Sequence, residues 1–172
     1  MKKVFILLIF GAIFSITGFG QKEKKTVPLP SFSMGIETAF PTGDLSSISS
    51  MGVGMRMQTV TPFCSMAGFS FSAGVTNYFV TRDVKTAGVK KFFAFPVEAG
   101  CRLFSAKGLY FEPKTGFTFF SGKSSSNIAF TYALNVGVKT GNCIDISFGY
   151  ENAPLKGLTL SHASVNIAYI FH

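Results

Sequence analysis

Nine charged side chains recur at alternate positions of short apolar segments in this 172-residue chain, and they are the first candidates for a functional site. They share their parity with glycines and small polar residues, whereas the intervening positions are apolar and uncharged. Charges crowded on one narrow face should pair, because unpaired burial is costly. The set therefore predicts either a salt-bridged plug or the lining of a selective pore. Its members are Glu37, Arg56, Glu98, Arg102, Glu112, Lys114, Lys139, Asp145 and Glu151.

A second candidate is the element His162-Ala163-Ser164 near the C-terminus. It resembles the His-x-Ser element of outer-membrane lipid A deacylases, whose catalysis completes a His-Ser-Glu triad for nucleophilic attack. The acidic member of that family follows the element, whereas nothing acidic follows Ser164 here. Alternation also points His162 and Ser164 to the face that carries the charges. We interpret both as ordinary strand residues, and we predict no catalytic, metal-binding or cofactor-binding residue.

Eight segments of about ten residues must position these side chains, and each alternates with a period of two. In the last one Ala163, Val165, Ile167, Tyr169 and Phe171 share one parity, and Ser164, Asn166 and Ala168 share the other. Connections after the second, fourth and sixth segments are short, and those after the others are longer. The pattern predicts an all-β fold: a closed, eight-stranded, antiparallel up-and-down transmembrane β-barrel over residues 31–172, with both termini periplasmic.

The apolar parity is predicted to face lipid, because a soluble barrel would turn its apolar residues toward the cavity. A lysine or arginine at midplane on the lipid face costs roughly 2–4 kcal/mol, and that parity carries none. Eight strands leave room only for side chains inside, which favours the plug over the pore. Pro96 and Pro113 interrupt the fourth and fifth segments and allow the register to slip by one residue there.

Residues 1–20 are predicted to be a cleaved signal peptide, with Lys2 and Lys3 before an apolar run and a small-x-small site at Gly18-Phe19-Gly20. Residues 21–30 form a charged, proline-containing periplasmic arm. The formal charge is +8, and removal of the two lysines leaves +6. Export argues against nucleic acid as a partner, so outer-membrane lipids and glycolipids are the expected partners. The basic stretch Arg82–Lys91 either contacts glycolipid phosphates or is a solvated loop.

The three cysteines, Cys64, Cys101 and Cys143, are odd in number and lack metal-type spacing. Export permits disulfides. The strand layout puts Cys64 and Cys143 on the third and seventh of eight strands, on opposite sides of the barrel. That separation exceeds the ~7 Å between Cα atoms that a disulfide tolerates. We therefore predict free cysteines.

Several motifs resemble those of small outer-membrane β-barrel proteins of Gram-negative bacteria. They are the signal peptide, Pro41-Thr42-Gly43-Asp44 after the first segment, the sequence GLYFEPKTG in the fifth, and the aromatic C-terminal strand. The resemblance is to the PorT-like outer membrane protein β-barrel domain group, with a layout similar to OmpX and the OmpA transmembrane domain. It implies an outer-membrane location and an insertion signal, Tyr169 and Phe171, that the insertion machinery reads.

The resulting functional hypothesis is a non-enzymatic, monomeric barrel in the outer membrane. Its role would be structural, or carried by external loops that contact a surface partner the sequence does not identify. Two alternatives remain: a lipid A-modifying barrel enzyme of the deacylase type, and a minor pore for small solutes.

Overall fold

The computed structural model describes residues 29–81, 92–105, 108–122, 126–141, 143–155 and 157–171. The predicted signal peptide, most of the predicted arm, the basic stretch 82–91 and His172 lie outside the described residues. The described part forms eight strands and one short helix. They are β1 Ser31–Gly43, α1 Leu45–Ile48, β2 Ser49–Cys64, β3 Ala67–Val80, β4 Phe92–Phe104, β5 Leu109–Ser121, β6 Ser126–Thr140, β7 Ile144–Leu155 and β8 Leu158–Phe171.

Each strand pairs antiparallel with its neighbours in sequence, and β1 also pairs with β8, so the sheet closes into a barrel. Closure leaves no unpaired strand edge, as a lipid environment requires. No helix in the described part is long and apolar enough to cross a membrane. The closed pairing of the eight strands confirms the predicted all-β, up-and-down barrel.

The strands are staggered around the barrel. One row of paired residues starts at Thr42 on β1 and returns to β1 at Phe32, so the stagger is ten residues (42 − 32 = 10). A stagger of this kind requires strands that tilt against the barrel axis. The row passes through Ser161, Asn152, Tyr132, Thr115, Ala99, Phe71 and Thr59.

The register continues unchanged through both prolines in β4 and β5. Pro96 pairs with Thr118 and Pro113 with Leu134, each in line with the pairs on either side. The one-residue slip that the prolines allowed therefore does not occur. Instead, irregular pairing lies at both ends of β2, between Ser49 and Met51 and between Pro62 and Cys64.

The connections β1–β2, β3–β4, β5–β6 and β7–β8 lie at one end of the barrel, here called the loop end; the other end is the turn end. The prediction of a long connection between β7 and β8 is wrong. The two strands pair as far as Leu155 and Leu158, so only two residues separate them. Gly157 in this turn has φ +91°, a left-handed conformation that glycine adopts without steric cost.

The outer surface carries the apolar parity of every strand. Ile36, Phe69, Phe130 and Phe148 are each more than half exposed, whereas the alternating residues are buried. Within the described strands no charged side chain faces outward. Such a surface is unstable in water and stable in hydrocarbon, which is typical of transmembrane barrels.

Candidate functional site

All nine predicted charged residues lie on the inward parity of their strands, and eight of them join ion pairs inside the barrel. The pairs form two groups. The central cluster comprises Glu37, Arg56, Glu98, Lys114 and Glu151; the turn-side cluster comprises Arg102, Glu112 and Asp145.

Arg56 organises the central cluster by bonding three carboxylates from three other strands. Its Nε lies 2.6 Å from Glu37 Oε2, its Nη1 2.6 Å from Glu98 Oε2 and its Nη2 3.1 Å from Glu151 Oε2. The planar guanidinium has donors pointing in several directions, which allows one side chain to hold β1, β4 and β7 together. Arg56 is 8% exposed and Glu98 is 1% exposed, so these charges are removed from water.

Lys114 and three hydroxyls complete the central cluster. The Lys114 Nζ lies 2.9 Å from Glu98 Oε2, and the Ser72 hydroxyl donates to the same oxygen over 3.2 Å. The Thr118 hydroxyl donates to Glu151 Oε1 over 3.2 Å, and Thr131 donates to Thr118 over 2.8 Å. The Thr118 hydroxyl thus satisfies a Glu151 oxygen that neither cation reaches, whereas Glu98 Oε1 is buried without a hydrogen-bond partner among the described residues.

The turn-side cluster is likewise organised by one arginine, Arg102, which bonds two carboxylates. Arg102 Nη2 lies 2.8 Å from Glu112 Oε2 and its Nη1 lies 2.7 Å from Asp145 Oδ2. The guanidinium also lies over the Tyr110 ring, 3.7 Å from its centroid, and the Tyr110 hydroxyl donates to Asp145 over 2.5 Å. Gln58 donates a further hydrogen bond to Glu112.

Lys139 is the member of the predicted set that stands apart. It pairs with Asp145 across β6 and β7, but it forms no ion pair among the described residues. Its Nζ lies 5.4 Å from the centroid of the Phe104 ring, and the side chain is half-buried near the turn end. An ammonium group over an aromatic face is a weaker contact than a buried ion pair.

His162 and Ser164 face the lumen. His162 is 5% exposed, its Nδ1 lies 3.1 Å from the Tyr78 hydroxyl, and its Nε2 lies 3.7 Å from Glu151 Oε2. Glu151 comes before the His-x-Ser element in sequence and reaches His162 because the two residues pair across β7 and β8. Neither side chain faces the outer surface, where an acyl chain of a membrane lipid would lie.

An apolar cluster lies above the charges, toward the loop end, and the sequence analysis missed it. We call it the cap. Leu45 of α1 is 1% exposed within it, and the Phe92 and Phe120 rings stack with centroids 5.6 Å apart. Its core consists of Ala39, Leu45, Tyr78, Ala94, Phe120, Ala129, Ala153 and Leu160, with Ile48, Phe92 and Leu155 packed against it.

One signal in the sequence marks the cap. Near the loop end, apolar residues follow one another directly at Tyr78-Phe79, Phe92-Phe93 and Phe119-Phe120. Consecutive apolar residues in a strand place apolar side chains on both faces, so the lumen must be apolar there too.

Tyr169 and Phe171 lie on the outer face of β8, about half exposed, with ring centroids 5.0 Å apart. Phe171 also contacts Phe32 of β1, with centroids 5.7 Å apart. The three cysteines are free and half-buried. Cys64 lies at the end of β2 rather than in the third strand, and Cys143 lies in the turn before β7 rather than in the seventh strand.

The side chains inside the barrel thus lie in three layers. Charged side chains pair at two levels, and apolar side chains pack above them.

No family model and no curated protein matches this sequence. Solved structures do match. Ail, the attachment invasion locus protein of Yersinia pestis, gives a TM-score of 0.64 at 16% identity over 83% of this chain and 97% of Ail. Another Ail structure holds the heparin analogue sucrose octasulfate and gives a TM-score of 0.59 at 18% identity, over 83% of this chain and 97% of that one.

Two further structures extend the likeness. The N-terminal barrel of Pseudomonas aeruginosa OprF gives a TM-score of 0.59 at 9% identity, covering 82% of this chain and 97% of that domain. Neisserial surface protein A gives 0.51 at 10% identity, covering 85% and 97%. The chain therefore has the fold of the small eight-stranded barrels of Gram-negative outer membranes.

Proposed function

We propose that this protein is an integral outer-membrane barrel that does not conduct solutes and acts through contacts made at its loop end. The filled lumen carries this proposal. Arg56 and Arg102 tie opposite walls together at two levels, and the cap packs above them. With the interior occupied, the connections at the loop end are the part left to meet a partner.

The orientation of the barrel across the outer membrane follows from the same proposal. Outer-membrane barrels keep short turns on the periplasmic side, so the loop end would face outward and both termini would be periplasmic. Cell fractionation and heat-modifiable gel mobility test the location. A protein that fractionates with soluble periplasmic contents and shows no mobility shift would contradict it.

Planar-bilayer recording of the purified protein tests the closed lumen. We expect no steady conductance, because paired charges and packed apolar groups block the path at separate levels. Steady single-channel steps from the wild-type protein would favour the small-solute pore instead.

We propose that the protein is not an enzyme. His162 and Ser164 face the lumen, and the His162 ring is held between Tyr78 and Glu151. Replacing both by alanine should leave the acyl content of lipid A in the host membrane unchanged. A loss of acyl-chain removal in the double variant would support the deacylase alternative.

Anionic glycans or glycolipids are the proposed partner class at the loop end, since the chain without Lys2 and Lys3 has a formal charge of +6. The complex of Ail with a polysulfated heparin analogue supports this chemistry. Replacing Lys85, Lys90 and Lys91 by glutamine should weaken binding of vesicle-embedded protein to immobilised heparin. Replacing Lys22, Lys24 and Lys25 instead is the matched control, and an equal loss in both variants would contradict a loop-end site.

A further inference from the structure

The central cluster carries more negative than positive charge. With every group ionised, it combines three carboxylates with two cations among the described residues (2 − 3 = −1): Glu37, Glu98, Glu151, Arg56 and Lys114. These side chains are buried, so water screens the excess charge poorly. An uncompensated buried charge is costly, and the cluster therefore needs one further positive charge.

The turn-side cluster does not share this imbalance. Its two carboxylates, Glu112 and Asp145, both bond Arg102. Lys139 lies opposite Asp145 across β6 and β7, and its half-buried ammonium supplies a second positive charge beside the cluster (2 − 2 = 0). The missing positive charge thus belongs to the central cluster.

His162 is the titratable group placed to supply that charge. Its ring is buried, and its Nε2 lies 3.7 Å from Glu151 Oε2 and has no hydrogen-bond partner among the described residues. Glu151 is also the carboxylate that Arg56 approaches least closely, at 3.1 Å against 2.6 Å for the other two. The carboxylate with the weakest contact to Arg56 and the unpartnered ring nitrogen therefore face each other.

The polar groups around the ring come from four other strands. The uncharged Tyr78 on β3 lies 3.1 Å from Nδ1, and Glu151 lies on β7. Glu37 on β1 is near enough to interact electrostatically with the ring, and Arg56 on β2 bonds both carboxylates. The charged groups facing the ring are thus two carboxylates and the guanidinium that they share (1 − 2 = −1). Their combined field favours a positive ring.

Two protonation states of the ring fit these contacts, and they differ at Nδ1. In a neutral ring, Nε2 carries the hydrogen that faces Glu151, and Nδ1 accepts a hydrogen bond from the Tyr78 hydroxyl. In a charged ring both nitrogens carry a hydrogen, and Nδ1 donates to the Tyr78 oxygen. The Tyr78 contact exists in either state, so the charge balance decides between them.

We propose that His162 is the site of a bound proton, held as an imidazolium that neutralises the central cluster. This site is independent of the membrane location and orientation proposed above, because it depends on contacts inside the barrel. The stabilisation is present while the ring is charged. Raising the pH removes the proton and leaves the cluster with one excess negative charge, so the barrel should lose stability as the pH rises above neutrality.

Nitrogen-15 NMR of the ring tests the protonation state directly. The chain contains two histidines, so His172→Gln leaves His162 as its single imidazole. The full-length variant, made without a histidine tag, is folded in phosphatidylcholine nanodiscs and measured at neutral pH. A charged ring shows two protonated nitrogens, and a neutral ring shows one. We expect two, and a ring with one protonated nitrogen overturns the proposal.

Two carboxylate variants, made in the His172→Gln background, test whether the excess negative charge holds the proton. Glu151→Gln removes the carboxylate beside the ring, and the ring should become neutral. Glu112→Gln is the matched control, because it neutralises a buried carboxylate of the turn-side cluster that bonds Arg102, and it should leave the ring charged. If Glu151→Gln does not fold, Glu37→Gln removes a carboxylate from the same cluster and carries the same expectation. A ring that stays charged in the folded variant overturns the proposal.

Urea unfolding measures what the proton contributes. His162→Gln should raise the unfolding equilibrium constant roughly tenfold at neutral pH, the effect of one hydrogen bond to a charged group. The ratio should shrink in alkaline solution, where the wild-type ring is neutral as well. A ratio that does not change with pH contradicts the proposal. A neutral wild-type ring in a barrel that sodium chloride stabilises would overturn it in favour of a bound metal cation.

Discussion

The central cluster and the cap lie at two levels of the same lumen and have opposite chemistry. In the central cluster, Arg56 bonds carboxylates from β1, β4 and β7. In the cap, Leu45 and Phe120 fill space against alanines. A buried charge is tolerated only while its partners remain, whereas an apolar core accepts changes that conserve its volume. The cluster therefore fixes which walls face each other, and the cap supplies packing.

The largest effect is expected when the central cluster loses its arginine. Arg56→Met should destabilise the barrel by about 3–5 kcal/mol, because three buried carboxylates lose their shared partner. Urea unfolding of vesicle-embedded protein, followed by heat-modifiable mobility, measures the change.

A compensating variant shows whether charge is the cause. Arg56→Met combined with Glu37→Gln should recover part of the lost stability, since one unpaired charge is removed. A cost below about 1 kcal/mol for Arg56→Met, the range of exposed ion pairs, would show that water reaches the cluster.

The cap should respond to volume instead. Phe120→Ala is expected to cost about 3 kcal/mol, through lost burial and the cavity it leaves. Phe120→Leu should cost less than about 1.5 kcal/mol, because it largely preserves volume. The same unfolding assay applies. Equal losses in the two variants would mean that the ring stacking with Phe92, rather than volume, determines the effect.

The smallest changes in stability are expected when Lys114 and Lys139 are each replaced by methionine. Lys114→Met should cost about 2 kcal/mol, because Lys114 donates to the buried Glu98 carboxylate. Lys139→Met should change stability by less than about 0.5 kcal/mol, since its ammonium only lies over the Phe104 ring near the turn end. If Lys139→Met lowers the free energy of unfolding more than Lys114→Met does, the assignment of ion pairs in the lumen is wrong.

The fold was predictable from the sequence because one physical rule acts along every strand. Lipid excludes charge from one face, so Glu37, Arg56 and Glu98 all fall on the other parity, and the period of two follows. The eight strands, their order and the direction of the charges come from this rule alone. The two prolines did not shift the register, although the β3–β4 ladder has no pair at Pro96 and the β4–β5 ladder has none at Pro113.

Pairing within the lumen was not predictable, because it depends on the stagger. Arg56 bonds Glu151 across a sequence separation of 95 residues, and only the ten-residue stagger brings the two to one level. The cap was missed because inward Phe120 and Leu160 break the polar parity that identified the lumen. The approach of Glu151 to His162 likewise needs the β7–β8 register.

The reach of Arg56 across the barrel has a consequence for the order of assembly. Ladder hydrogen bonds between neighbouring strands can form one hairpin at a time. The contact from Arg56 on β2 to Glu151 on β7 becomes possible only when the last strand has met the first. Interactions that form after the rate-limiting step slow unfolding and leave folding rates unchanged. The central cluster should therefore slow unfolding, so that its loss shortens the lifetime of the inserted barrel without delaying insertion.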